Sequence, residues 1–259
     1  MSRIESVFKS NKAFIPFITA GDPTLAVTKK IILRMEAAGA DLIEIGIPFS
    51  DPVAEGQVIQ AADDRALKNG ITTDQIFDMV EELREESSIP IAFMTYINPI
   101  HTYGAQRFMD RCRKACVDAV IVPDLPYEEK EEIKPYCNQY GITLISMIAP
   151  SSKERIRMIA REAEGFLYCV SSMGVTGVRD ELGADINSMI KEAKEAKDIP
   201  CAIGFGISTY DQAKTMAAYA DGVIVGSAIV KIIGDYGEDC IPYVEDYVHN
   251  MKAACLDAG

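Results

Sequence analysis

Glu44 stands inside Leu42-Ile43-Glu44-Ile45-Gly46, an otherwise apolar run in which a carboxylate is costly unless it has a task or a partner. Burial there would raise its pKa towards neutrality, so that one carboxyl could both give and take a proton near pH 7. A structural pairing with an arginine elsewhere is the competing reading. Asp51 and Glu55 follow in Ser50-Asp51-Pro52-Val53-Ala54-Glu55-Gly56, as loop carboxylates free to face solvent, a pocket or a partner. Farther along, Gly204-Phe205-Gly206-Ile207-Ser208 and Gly226-Ser227-Ala228 place glycines where backbone N–H groups can approach an anion, the second at the start of a short helix. Either turn alone could be a plain strand-to-helix connection; the two together read as a phosphate grip. The segment from Ser171 to Arg179 is long and small-residued. It reads as a lid whose Thr176 hydroxyl meets a bound molecule on closure, against the alternative of an ordinary surface loop.

Absences narrow the chemistry further. No lysine lies in any expected strand, which argues against a Schiff base. No His/Asp/Glu cluster has ligand spacing, which argues against a metal-dependent enolate route, and no metal site is expected. The seven cysteines are scattered and odd in number, so they read as reduced structural thiols; Cys112 and Cys116, four apart, lack the histidines to complete a zinc site. What remains is acid–base chemistry by carboxylates, with the phenols of Tyr96 and Tyr168 as candidates beside them.

These groups need a scaffold, and the pattern supplies one. Short apolar runs at 14–19, 42–46, 91–95, 119–122, 143–148, 166–170, 201–205 and 222–225 alternate with amphipathic stretches at 27–38, 73–86, 105–115, 128–140, 153–161, 186–196, 211–220 and 241–254. Several runs are continuously apolar, as parallel strands covered on both faces must be. Eight right-handed βα units close most naturally into a (β/α)8 TIM barrel, here a single domain over residues 1–259. The first turn, Thr19-Ala20-Gly21-Asp22-Pro23, lacks the dinucleotide fingerprint of an open doubly wound sheet. A short helix at 4–8 is expected to plug the bottom of the barrel, with the chemistry at the opposite end, in the loops after the strands.

The 39 acidic against 26 basic residues give a net charge of −13, which disfavours nucleic acid and anionic membranes as partners. The N-terminal residues lack a signal-peptide core and no apolar run is long enough to span a bilayer, so a soluble, cytoplasmic protein is expected.

Seven segments, in order, carry a resemblance: Pro16-Phe17-Ile18-Thr19-Ala20-Gly21-Asp22-Pro23, Glu44-Ile45-Gly46-Ile47-Pro48-Phe49-Ser50-Asp51-Pro52, Met94-Thr95-Tyr96-Ile97-Asn98-Pro99, Pro123-Asp124-Leu125-Pro126, Gly174-Val175-Thr176-Gly177, Gly204-Phe205-Gly206-Ile207-Ser208 and Gly226-Ser227-Ala228-Ile229-Val230. Over essentially its whole length the chain resembles the tryptophan synthase α subunit family. The resemblance implies a lyase that cleaves indole-3-glycerol phosphate to indole and glyceraldehyde 3-phosphate by a retro-aldol reaction. It implies no cofactor in this subunit, with pyridoxal phosphate in a β subunit that receives the indole within an α2β2 heterotetramer for tryptophan biosynthesis. By position, Glu44 matches the family's catalytic glutamate, Tyr168 a tyrosine near the reacting centre and Phe17 a residue of the indole pocket. Thr176 matches the lid threonine; Gly177, Gly206, Gly226 and Ser227 match the phosphate grip. The loops after strands two and three, with Asp51, Asn98 and Pro99, match the β-subunit interface, where Pro99 and Ile100 are expected to be exposed.

One position departs from the family. Ala54-Glu55-Gly56-Gln57 stands where the family has a run of the type Ala-Asp-Gly-Pro, whose aspartate holds the indole N–H. Glu55 keeps the charge but lengthens the side chain by one carbon–carbon bond, ~1.5 Å, and Gln57 removes a stiffening proline. The expectation is that Glu55 takes the aspartate's role through a shifted loop. Two alternatives stand beside it: a catalytically weakened subunit that mainly regulates the β subunit, and another phosphosugar enzyme on the same barrel, such as an isomerase.

Overall fold

The computed structural model describes residues 3–9, 11–170, 179–204 and 206–258. Its strands are β1 (Ala13–Thr19), β2 (Ile43–Gly46), β3 (Ile91–Met94), β4 (Ala119–Ile121), β5 (Thr143–Leu144), β6 (Ser146–Ile148), β7 (Leu167–Val170), β8 (Cys201–Gly204) and β9 (Gly222–Val225). All pair in parallel, in the order β5-β4-β3-β2-β1-β9-β8-β7-β6. The ends of that order are separated only by Ile145: β5 bonds to β4, β6 bonds to β7, and Ile145 N–H donates to Val120 O at 2.9 Å. The expected strand 143–148 is therefore one stave in two pieces, bonded to one neighbour in its first half and to the other in its second, and the ring of eight staves closes.

The helices are α1 (Arg3–Ser6), α2 (Leu25–Ala37), α3 (Gln57–Lys68), α4 (Thr73–Leu83), α5 (Ile97–Tyr103), α6 (Ala105–Lys114), α7 (Lys134–Tyr140), α8 (Lys153–Glu162), α9 (Arg179–Ala196), α10 (Tyr210–Tyr219), α11 (Ser227–Tyr236) and α12 (Ile241–Leu256). Their starts follow local chemistry: Thr24 caps α2, and Thr72 with Gln75 and Thr209 with Gln212 form capping boxes on α4 and α10. Helix α5 occupies a stretch expected to be a loop, and α3 lies in a stretch to which the sequence pattern assigns no element. The helix expected over 128–140 is instead a 3-10 segment, Tyr127–Glu132, followed by α7, because Pro135 fits only a first helical turn. Cys112 is buried on α6, whereas Cys116 lies beyond its end, exposed and at φ 53°, so the two thiols do not share a face.

Strand alternation divides the apolar residues between two cores. Ile43, Ile45, Phe93, Val120 and Val223 face outward against the helices. Ala13, Ile15, Leu42, Ala92, Ala119, Ile121, Tyr168, Ala202 and Ile224 fill the barrel interior. Ile4, Val7 and Phe8 pack into the same interior cluster, with the Phe8 ring 5.3 Å from Phe166, so the N-terminal segment plugs the barrel as expected. Glu44 is paired in register with Phe17 and Ala92 and so points inward.

Three aspartates fix that register at the bottom of the barrel. Asp41, Asp118 and Asp221 each precede a strand and accept a backbone N–H from the neighbouring stave: Phe14 N at 2.7 Å, Ile91 N at 2.9 Å and Cys201 N at 2.8 Å. Each also holds a cation, Lys252, Arg3 and Lys194 respectively. Asp118→Ala strands the Ile91 N–H and frees Arg3, which ties down the plug, so a loss of ~2–4 kcal/mol is expected in urea denaturation. Asp118→Asn, which keeps an acceptor oxygen, should lose less; equal midpoints for wild type and the alanine variant would rule the clamp out.

Candidate active site

At the top of the barrel a cavity of about 280 Å³ opens among the strand ends. Its floor carries Glu44 and Tyr168, one wall carries Phe17, Ile59, Met94 and Met147, and its rim carries Glu55 together with Gly206, Gly226 and Ser227. Seven of the sites singled out in sequence thus converge on one pocket. Thr176 and Gly177, with the rest of 171–178, lie outside the described residues.

Glu44 is 1% exposed and neither carboxyl oxygen has a hydrogen-bond partner. The expected alternative of a structural Glu–Arg pair is therefore not what the fold builds. Burial first, and the negative charge of Glu55 second, push its pKa from 4.5 to about 8. At neutral pH it is a protonated acid at the base of an apolar pocket. Tyr168 beside it is likewise held far above the usual phenol range by burial and by the charge of Glu44. The Tyr168 ring fits because position 204 has no side chain: a Cβ there would lie 2.6 Å from the Tyr168 hydroxyl oxygen. Gly46 makes room in the same way for Phe17, whose Cζ would meet a Cβ at 2.7 Å.

Glu55 is not the exposed-loop carboxylate that its surroundings in sequence suggest. It is half-buried at the cavity edge, and burial raises its pKa while hydrogen bonds involving Asp63 and Tyr96 oppose the rise. The loop that carries it is anchored on both sides despite the missing proline. Ala54 N–H donates to the Tyr96 hydroxyl at 3.0 Å, and the Gln60 side-chain amide donates to the Glu55 carbonyl at 2.7 Å. Gln57 opens α3, the helical position at which a proline is also at home.

The grip consists of Gly206, at φ 72°, with Ile207 and Ser208, and of Gly226, Ser227 and Ala228 at the start of α11. The first turn of a ten-residue helix presents backbone N–H groups and the positive end of its dipole to the cavity rim, which suits a phosphate. The site therefore combines backbone amides suited to an anion, an apolar lining and two acids.

Asp51 and Asn98 are exposed and Pro99 half-buried, on the loop after β2 and on α5, away from the cavity. Val53 is 78% exposed in the same loop. Ile100, expected to be exposed, is fully buried, because α5 turns that face into the helix-side core. Asp63 was missed. Its signal was its place on the buried face of α3, among Ile59, Ala62 and Ala66, where the helical spacing calls for an apolar residue. A second cavity, of about 570 Å³, lies near α7 and α8, but its cations Lys130, Lys134 and Arg155 are engaged by Glu162, Glu164 and Glu128. Among the described residues no group of three or more His, Cys, Asp or Glu could hold a metal ion, and no helix is long and apolar enough to cross a membrane.

Glu44 carries a stability consequence. Its folded-state pKa lies above its unfolded value, so stability falls as pH rises from 4.5 to about 8 and the penalty is complete above that. At ~1.4 kcal/mol per pH unit the upper bound is ~5 kcal/mol. Glu44→Gln is therefore expected to resist urea better than wild type at pH 9, with the difference shrinking towards pH 5. A variant no more stable at either pH would contradict a desolvated acid.

The geometry has counterparts among known proteins. A family model described as "Tryptophan synthase alpha chain" matches residues 5–255. The "Tryptophan synthase alpha chain" of Lacticaseibacillus casei is 47% identical over 254 residues, covering 98% of this chain and 96% of that protein. That of Halalkalibacterium halodurans is 46% identical over 241 residues, covering 92% and 91%. Among solved structures, the tryptophan synthase subunit alpha from Legionella pneumophila superposes with a TM-score of 0.90 at 34% identity, covering 98% of each chain. A structure titled for the tryptophan synthase a2b2 complex of Pyrococcus furiosus gives 0.86 at 37% identity, covering 94% and 98%. By whole-length sequence identity and by superposition of the barrel, the chain belongs to the tryptophan synthase α chain family.

Proposed function

We propose that this protein is a lyase that cleaves indole-3-glycerol phosphate to indole and glyceraldehyde 3-phosphate. The observation that carries the reading is the unpartnered, buried Glu44 carboxyl facing an apolar slot whose far end is a set of backbone amides suited to phosphate. Gly206, Gly226 and Ser227 hold the phosphate, with Thr176 and Gly177 of the lid segment closing over it. Phe17 packs on the indole ring.

The proton steps then follow from the charge states. Glu44, protonated at neutral pH, donates to the ring carbon that bears the glyceryl chain, and the positive ring so formed is balanced by the Glu55 carboxylate at its N–H. Glu44, now an anion, takes the proton of the adjacent glyceryl hydroxyl. The O–H electron pair becomes the carbonyl bond, the carbon–carbon bond breaks, and its electrons return to the ring, which leaves as neutral indole. Tyr168 lies against Glu44 and limits its hydration.

This subunit needs no cofactor for those steps. The partner is a tryptophan synthase β subunit, carrying pyridoxal phosphate and receiving the indole in an α2β2 assembly; Asp51, Val53, Asn98 and Pro99 form part of the facing surface. The setting is cytoplasmic.

The test is indole release from indole-3-glycerol phosphate, alone and with a β subunit. Glu44→Gln should lower kcat by ~10²–10⁴-fold, and wild-type kcat should fall as pH rises through about 8, where Glu44 loses its proton. Glu55→Asp should leave the same order of activity. An inert wild type rescued by the aspartate would overturn the assignment of Glu55.

A further inference from the structure

Asp63 is a buried acid that the steps above do not use. It is 4% exposed on α3, and its one hydroxyl donor is Thr19 Oγ1 of β1 at 3.4 Å, a long bond. Its carboxyl lies beside that of Glu55, whose Oε2 is buried and receives no hydrogen bond from any donor among the described residues. On the other side of Glu55 stands Tyr96; its oxygen accepts the Ala54 N–H, leaving the phenol proton free for the carboxylate. Glu44 of β2 faces the same group. Arg65 of α3 is engaged by Asp22, through two bonds of 2.8 Å, and Lys231 of α11, which packs against α3, by Asp235; Lys68, the other cation of α3, is exposed at the C-terminal end of the helix. Among the described residues no cation acts on either carboxyl, and two carboxylates in contact resist being ionised together. A proton between them makes a short, charge-assisted O–H···O⁻ bond.

We propose that Asp63 is a positioning residue that shares one proton with Glu55, and that this hydrogen bond holds the longer glutamate where the indole N–H needs a carboxylate. The inference rests on the proposed cleavage reaction and explains how the site accommodates its departure from the family pattern. Tyr96 and Gln60 fix the backbone of the loop, and Asp63 fixes the carboxyl at its tip. The pair presents one negative charge to the ring. As the shared proton is lost, two anions repel and Glu55 swings away. Burial raises both carboxyls, and the charge and hydrogen bond of Glu55 raise Asp63 further, so that loss falls well above the ordinary carboxylate range.

Two measurements test this. In carboxyl ¹³C NMR of the wild-type protein, Asp63 and Glu55 are expected to titrate as a coupled pair that keeps one proton at pH 7. Independent titration, with both ionised at pH 7, would overturn the proposal. In kinetics, Asp63→Ala should lower kcat ~10–100-fold with little change in KM, yet cost nothing further in a Glu55→Gln background. Asp63→Asn, which keeps a donor without a titrating proton, should restore most of kcat and lose the part of the alkaline fall that comes from the pair. Equal losses from Asp63→Ala in both backgrounds would mean a purely structural role and overturn it as well. A wild type that releases no indole defeats the cleavage reading alone, since the NMR titration does not depend on turnover.

Discussion

Everything at the top of this barrel depends on strand register at its bottom. Side chains alternate along each stave, so a slip of one residue in β2 would exchange Glu44 for Ile43 or Ile45 and send the acid outward into the helix-side core. Parallel strands have no hairpin turn to set their pairing. The bonds from Asp41, Asp118 and Asp221 to the first N–H groups of neighbouring staves do that work, and the paired cations connect them to the plug and to the outer helices. Position at the catalytic end is thus decided about a full strand length away.

Given that register, the barrel places Glu44 on a desolvated floor. Glu44 has no hydrogen bond to replace its lost hydration, and that deficit is what lifts its pKa into the range where one carboxyl can both donate and accept. Stability and function oppose each other here. A satisfied glutamate, paired with an arginine, would be ionised, better solvated and useless as an acid at neutral pH. Gly46 and Gly204 belong to the same design, since the space they leave lets Phe17 and Tyr168 close in around the acid and keep water scarce.

The other end of the pocket works by the opposite means. On the proposed reading an anion would be held there by backbone N–H groups and by the dipole of α11, without a buried cation. Binding by amides at one end and acid chemistry at the other separate the two tasks in space. An elongated molecule with a phosphate at one terminus and a flat apolar ring at the other fits that gradient.

The eight-stave barrel, the N-terminal plug, the helix-starting turns and the odd character of Glu44 were all legible in the sequence, because periodicity, turn residues and a charge inside an apolar run are local properties. The likeness of seven ordered segments to one family was legible too. Helix α5 and the burial of Ile100 were not, since that stretch has no distinctive spacing and its burial comes from packing against α6 within the helix-side core. Nor was the split of the fifth stave, which reflects closure of the ring. Above all, sequence named Glu55 as a departure and could not say what compensates for it. Asp63 looks like one acid of an Asp-Asp pair on a helix; only folding brings it beside Glu55, with Arg65 and Lys231 engaged elsewhere. The sequence determined which side chains could titrate. The tertiary structure decided which of them lose water, and which share a proton, because desolvation and contact between charges arise from residues far apart in the chain.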